Sequence, residues 1–150
     1  MAHSYTNLLY HIVFSTKSRQ EWIDDQLAPD LHAYLGRAVK DLGGIALAVN
    51  GVADHVHILA KLRPDKSVSQ VLSSIKARSS GWIHRTRPGL AVFAWQTGYG
   101  AFTLGPGQVP DVTRYIHNQN EHHRRESYDQ ELRKMLRRAG LDVEEPFYWE

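Results

Sequence analysis

The run Asp54-His55-Val56-His57-Ile58-Leu59-Ala60-Lys61-Leu62 decides how this chain folds and where its chemistry sits. Side chains two apart on an extended strand share a face, so Val56, Ile58, Ala60 and Leu62 can enter a core while His55 and His57 point the other way, close enough to reach one ion. An apolar core gains nothing from two imidazoles on the face opposite its aliphatics. Left without partners in a buried place they would cost a few kcal/mol in lost hydrogen bonds, so a ligand or solvent must satisfy them.

Working outward, residues 45–50 read as a short apolar strand, separated from the histidine strand by a few residues around Gly51-Val52-Ala53-Asp54, a spacing that favours a hairpin. Residues 8–16 are dense in β-branched and aromatic side chains and predict an inner strand. Leu27, Leu31, Tyr34, Leu35, Ala38, Val39 and Leu42 recur at helical spacing, with Asp24 and Asp25 at the start, Pro29 in the first turn and Gly43-Gly44 at the stop. Ser67 with Gln70 is a capping box opening a second helix, whose buried stripe is Val68, Val71, Leu72 and Ile75. Residues 93–104 predict a last strand, broken or bulged near Gly98 and Gly100.

Strand, helix, strand, strand, helix, strand is the split βαβ order of ferredoxin-like α+β domains: an antiparallel four-stranded sheet carries both helices on one face and leaves the other open. Function is therefore expected on the open face. After the Gly105-Pro106-Gly107 loop, Pro110-Asp111 starts a third helix holding Tyr115; a fourth has Ser127 and Gln130 as a second capping box and Gly140 as its C-terminal cap. The expectation is one domain over residues 1–150, with a core over about 5–125 and a C-terminal helix and acidic, aromatic tail over about 127–150.

A chain of 150 residues without cysteine needs no disulfide framework and has no thiolate zinc site. Its apolar runs fall short of a membrane span and its start lacks the pattern of a secretory leader, so a cytoplasmic location is expected. The net charge is only +2, yet Lys61, Arg63, Lys66, Lys76, Arg78, Arg85 and Arg87 face one acid, Asp65, in that stretch. This is a candidate landing strip for a phosphate backbone, or else a solvated helix face. The acids Asp142, Glu144, Glu145 and Glu150 place the tail away from any nucleic acid.

On the third helix Asp111, Tyr115, Gln119 and His122 fall on one stripe, too polar for a core seam, whereas His117 and His123 fall off it and are expected to be exposed. Together with the histidine pair, Tyr115 and Gln119 supply a nucleophile and a third metal ligand, the equipment for cutting and rejoining a phosphodiester. A phenol has a pKa near ~10, so it needs its charge stabilised or its proton accepted as it attacks.

The segments Tyr10-His11-Ile12-Val13-Phe14-Ser15-Thr16-Lys17, Asp54-His55-Val56-His57, Trp95-Gln96-Thr97-Gly98-Tyr99 and Tyr115-Ile116-His117-Asn118-Gln119, in this order, resemble the single-tyrosine transposases of the smallest bacterial insertion sequences, members of the HUH nuclease superfamily with REP-associated tyrosine transposases as close relatives. The resemblance spans about residues 5–123. It implies that His55, His57 and Gln119 hold a divalent ion, and that Tyr115 attacks single-stranded DNA at hairpin-flanked ends, forming a 5′-phosphotyrosine link and freeing a 3′-hydroxyl. Two imidazoles, an amide oxygen and waters suit octahedral Mg²⁺ or Mn²⁺ better than closed tetrahedral zinc. It further implies a homodimer in which the tyrosine helix can act in trans, with the Gly105-Pro106-Gly107 loop giving the reach. Lys61, Arg63, Lys76, Arg78, Arg85 and Arg87 are the candidate phosphate contacts, and Trp82 is read as an anchor for its helix. Where relatives carry serine-rich sequence after the last strand, this chain has Thr103-Leu104-Gly105-Pro106-Gly107-Gln108.

Three other readings stay open at this level. A zinc hydrolase would use His55, His57 and one of His122 or His123, but leaves Tyr115 without a task. A non-catalytic single-stranded nucleic-acid-binding module would stack bases on aromatics. A domesticated relative would keep the chemistry and process chromosomal palindromic repeats.

Overall fold

A computed structural model describes residues 3–141. Four strands, β1 (Leu8–Ser15), β2 (Ile45–Val52), β3 (His55–Leu62) and β4 (Gly100–Thr103), form one antiparallel sheet in the order β2-β3-β1-β4. Two long helices, α1 (Leu27–Asp41) and α2 (Val68–Thr86), complete the ferredoxin-like pattern, and α3 (Val109–His117), α4 (Gln119–His122) and α5 (Tyr128–Arg138) follow. The acidic residues 142–150 of the tail lie outside the described residues.

The punctuation behaves as the residue types require. Asp24 Oδ1 accepts from the amides of Gln26 and Leu27 at the start of α1, and Gly43 ends that helix at φ +82°. Ser67 and Gln70 form the capping box of α2, Ser127 and Gln130 that of α5. Residues 53 and 54 alone make the turn between β2 and β3.

The last strand is much shorter than its sequence suggests. Phe93 and Trp95 turn into the core, where both pack edge-on with each other and Trp95 with Phe14, and a single bridge joins Trp95 to Thr16. Gly98, at φ +95°, bends the chain, and the carbonyls of Gln96 and Gly98 accept from Lys76 Nζ instead of from a strand. The ladder with β1 resumes at Gly100.

One face of the sheet holds the main core. Ile12 and Phe14 of β1 and Val56, Ile58, Ala60 and Leu62 of β3 pack against Leu31, Leu35 and Val39 of α1 and Val71, Leu72 and Ile75 of α2. Trp82 stacks on Tyr34 with ring centroids 4.7 Å apart, anchoring α2 to α1.

The opposite face, expected to be open, is covered by the C-terminal helices. Ile116 of α3 packs on Ala48 and Leu59, and Tyr128, Leu132 and Leu136 of α5 pack on Val13. Those helices carry their own apolar stripes, and an uncovered sheet face bearing Val13 and Leu59 would leave such stripes with nothing to bury against. Asn50 of β2 fixes the tyrosine helix in place, donating from Nδ2 to the carbonyls of Ile116 at 2.9 Å and His117 at 3.3 Å.

Candidate active site

His55 and His57 leave β3 on the face away from α1 and α2, as the strand's alternation requires, and both are fully buried beneath the C-terminal helices. Each ring is oriented through its Nδ1. His55 Nδ1 lies 2.7 Å from Asp54 Oδ1, and His57 Nδ1 lies 2.8 Å from His11 Nε2 on the neighbouring β1. Both Nε2 atoms then point at one oxygen, Glu131 Oε1, at 3.1 Å and 3.0 Å. His123 Nε2 reaches the same oxygen at 3.0 Å, with its Nδ1 2.7 Å from the Glu126 carbonyl.

Tyr115 completes the cluster from α3. Its ring stands edge-on to His57 at 5.8 Å and its hydroxyl donates to the other carboxylate oxygen, Glu131 Oε2. The same oxygen takes a bond from Gln119 Nε2 at 3.1 Å, while Gln119 Oε1 faces His55 Nε2 at 3.3 Å. The helix breaks at Asn118, yet the stripe survives: His122 Nε2 lies 3.4 Å from the Tyr115 hydroxyl. Tyr115 and the histidine pair thus meet within one chain.

Burial and charge set the ionisation. Burial alone would raise the Glu131 carboxyl, but the hydrogen bonds of His123, His55 and His57 outweigh it and hold the group far below the usual carboxylate range. Burial pulls His57 down and takes His11 to about 3, so both rings rest neutral. For His55 the burial penalty is overcome by Asp54 and Glu131, and its pKa is raised. Burial and the Glu131 carboxylate push the Tyr115 phenol well above its ordinary value, so the hydroxyl keeps its proton at rest.

The donor set fits a divalent cation. His55, His57, His123 and Glu131 each offer one ligand atom, and these atoms lie within 4.8 Å of one another. Gln119 Oε1 lies beside this group, 3.3 Å from His55 Nε2.

Sequence reasoning missed two members, Glu131 and His11, and gave His123 a place only in the hydrolase reading. Glu131 was detectable as a carboxylate inside the apolar stripe Tyr128, Leu132, Met135 of α5, a position that demands a buried partner. His11 shares the face of Val13 by strand alternation, but its pairing with His57 depends on the β1–β3 register. His123, expected to be exposed, is turned inward because the chain reverses after α4 to bring α5 over the sheet; His117 is exposed.

The six predicted phosphate contacts lie away from this cluster. Lys61 and Arg63 line a small cleft at the far end of β3, about 20 Å along the strand from His55. Lys76, Arg78 and Arg85 belong to α2, and Arg87 follows it, across the sheet from the histidines. Arg63 pairs with Asp65, Arg78 with Asp41 and Arg87 with Asp30, and Lys76, its pKa lowered by burial to about 8, holds the 96–98 loop. A different set of cations stands beside the tyrosine. A cleft of about 860 Å³ is lined by Tyr115, Asn118, His122, Arg125, Arg133, Lys134 and Arg137 and also by Glu121 and Glu126, the latter paired with Lys134 at 2.6 Å.

The family model described as "Transposase IS200 like" matches residues 4–119. The chain belongs to the IS200-like transposases. The transposase for insertion sequence element IS200 of Salmonella typhimurium (strain LT2) is 27% identical over 126 residues, covering 81% of this chain and 82% of that protein. The ISDra2 transposase TnpA of Deinococcus radiodurans is 21% identical over 119 residues, covering 76% and 85%. Among solved structures, a putative transposase from Deinococcus radiodurans R1 superposes with a TM-score of 0.64 at 22% identity, covering 79% of this chain and 96% of that one. A REP-associated tyrosine transposase bound to a REP hairpin gives 0.60 at 14% identity, covering 82% and 73%. At these identities the structural likeness establishes the fold. As a member of the family this transposase is a DNA-cleaving and rejoining enzyme, its fold is that of the tyrosine transposases, and no helix among its described residues is long and apolar enough to cross a membrane.

Proposed function

We propose that this transposase cuts and rejoins single-stranded DNA beside hairpins through a covalent 5′-phosphotyrosine at Tyr115, with His55, His57 and Gln119 holding a divalent ion. The observation that carries the reading is the sharing of one buried carboxylate: Glu131 binds the Tyr115 hydroxyl through one oxygen and meets both Nε2 atoms of the pair with the other. A nucleophile and a cation-binding cluster are thus one carboxylate apart.

When bound, Mg²⁺ or Mn²⁺ would supply positive charge against the scissile phosphate and so offset the charge of the transition state. The residues do the rest. Tyr115 Oη forms the new bond to phosphorus, the bond from phosphorus to the 3′ oxygen breaks, and that oxygen takes a proton from solvent to become the free 3′-hydroxyl. Glu131 Oε2 orients the hydroxyl, and His122, 3.4 Å away, is the group placed to take the phenol proton. The new ester keeps the energy of the old one, so rejoining needs no nucleotide cofactor.

The cleft of Arg125, Arg133, Lys134 and Arg137 offers the strand a basic path to Tyr115. The duplex arm of a hairpin is the partner proposed for Lys61, Arg63, Lys76, Arg78, Arg85 and Arg87; Arg63, Arg78 and Arg87 would exchange a carboxylate for a phosphate to serve it. The neighbour that binds a REP hairpin supports a hairpin as the substrate class. Whether the hairpins flank the element itself or are chromosomal repeats is read from palindromes in the surrounding DNA. The assay is incubation with end-labelled single-stranded hairpin DNA and Mg²⁺ or Mn²⁺, with a chelator control. A denaturant-resistant protein–DNA adduct is expected, and binding without any adduct would instead mark a non-catalytic module.

A further inference from the structure

We propose that His123 and Glu131, which lie beyond the residues matched by the family model, join His55, His57 and Gln119 as ligands of a divalent transition-metal ion, and that Glu131 grips the ion through Oε1 and the nucleophile Tyr115 through Oε2. The inference rests on the proposed metal-dependent cleavage and adds ligands to it.

Hydrogen-bond accounting points to a cation at this place. An imidazole has two ring nitrogens, and the partner of one dictates the role of the other. Asp54 and the Glu126 carbonyl are acceptors, so the Nδ1 atoms of His55 and His123 carry hydrogens and donate, at 2.7 Å each. Both Nε2 atoms point at Glu131 Oε1, at 3.1 Å and 3.0 Å; without an ion they reach it through protons, and once those protons are released they present lone pairs to a cation. Gln119 Oε1 adds a further lone pair 3.3 Å from His55 Nε2. Atoms converging in this way need positive charge between them, supplied by protons or by a metal ion, the two competing for the same lone pairs.

His57 can join without strain. If it donates from Nδ1 to His11 Nε2, 2.8 Å away, its Nε2 becomes a third free lone pair 3.0 Å from the same oxygen. This arrangement, with the far ring nitrogen tied to a carboxylate, a carbonyl or another ring, is how ligand histidines are oriented. Adjacent octahedral ligands at about 2.1 Å from an ion stand about 3.0 Å apart and opposite ones about 4.2 Å; the three nitrogens lie 3.0–3.1 Å from Glu131 Oε1 and all four atoms within 4.8 Å of one another, so movement of the side chains toward a common centre would admit one. Glu131 is 1% exposed, and a buried carboxylate surrounded by imidazole nitrogens is costly for a helix to carry unless it is used.

The donors also select the ion. Three imidazole nitrogens and one carboxylate oxygen favour Mn²⁺ or Zn²⁺ over Mg²⁺, which prefers oxygen ligands and keeps its waters. Calorimetric titration of the metal-stripped, full-length protein with Mn²⁺, Zn²⁺ and Mg²⁺ tests this, alongside His57→Ala, His123→Ala and Glu131→Gln. The expected result is one ion per chain, Mg²⁺ much the weakest, and Mn²⁺ affinity reduced by at least about 100-fold in every variant. Wild-type Mn²⁺ affinity in His123→Ala and Glu131→Gln, with loss in His57→Ala, would overturn the inference and leave the proposed function standing. No divalent binding by the wild-type protein would defeat both. A second readout needs no variant: with ¹⁵N-labelled histidine, Zn²⁺ should shift three Nε2 resonances, those of His55, His57 and His123, and a shift confined to the first two would equally overturn it.

Discussion

The two faces of the sheet are built from opposite materials. Beneath α1 and α2 lie Ile12, Phe14, Val56, Ile58 and Ala60, all at 1% exposure or less and all apolar. Beneath α3, α4 and α5 the same strands present His11, His55 and His57, set among Tyr115, Gln119, His123 and Glu131. One face is held by burial alone, which is non-directional and tolerant of which aliphatic fills a place. The other sets apolar contacts of Val13, Ala48 and Leu59 around a centre of directed bonds, and those bonds define one arrangement. The same period-two alternation serves both, and the division of labour between fold and chemistry runs through the plane of the sheet.

Several substitutions would break or sharpen that division. Tyr115→Phe should lower strand cleavage by about 10⁴-fold or more, since the attacking oxygen is gone, and should change stability by only about 1 kcal/mol for the lost hydrogen bond. Ile58→Ala, one residue from His57 but on the other face, should do the reverse. Cavity formation there should cost 2–5 kcal/mol in urea unfolding, while cleavage per folded molecule stays near wild type. If Ile58→Ala removed cleavage from fully folded protein, the faces would not be separable.

Next in size is the question of one chain or two. Tyr115 meets its own histidines, so a mixture of Tyr115→Phe and His57→Ala chains should stay inactive; recovery of cleavage would mean that the tyrosine helix is exchanged between subunits. A smaller effect is expected from the cations. Arg133→Ala or Arg137→Ala, in the cleft beside Tyr115, should weaken single-strand binding and reduce its salt slope by about one unit, uniformly across sequences. Arg85→Ala on α2 should affect only substrates with a duplex arm.

The smallest effect concerns pH. Lys76 has its pKa lowered to about 8 against 10.5 for an ordinary lysine, so between these values the unfolded chain binds more protons and rising pH favours the fold. Tyr115 and Tyr128 are shifted upward, chiefly by burial, so above pH 10 the unfolded chain loses protons that the fold retains, and stability should fall. Urea midpoints should therefore rise modestly from pH 8 to about pH 10 and then decline, and Lys76→Met should flatten the first limb.

Much of this was legible in the residues. The phase of His55 and His57, both capping boxes, the hairpin before β3 and the order of elements follow from local rules that act over a few residues. So does the meeting of Tyr115 with Gln119 four positions on. What was hidden depended on long-range docking. The cover over the histidine face, the inward turn of His123 and the pairing of His11 with His57 arise only when α5 lies down on β1 and the strands take their register. The length of the last strand was misread because Phe93 and Trp95 look like strand residues and are core residues in an irregular segment. The charged run from Lys61 to Arg87 drew attention to α2, whereas the cations next to Tyr115 are Arg125 and, on α5, Arg133, Lys134 and Arg137, where neighbouring acids masked them in the sequence.

The most direct measurement is to locate the covalent nucleotide. After reaction with a single-stranded hairpin substrate and Mn²⁺, nuclease trimming and tryptic digestion would separate residues 115–124, which contain Tyr115, from residues 126–133, which contain Tyr128, a buried tyrosine whose ring lies 4.6 Å from that of His55. The phosphonucleotide mass should appear on the first peptide, and only when the divalent ion is present. Its appearance on the second peptide, or on the first in the presence of a chelator, would contradict the account.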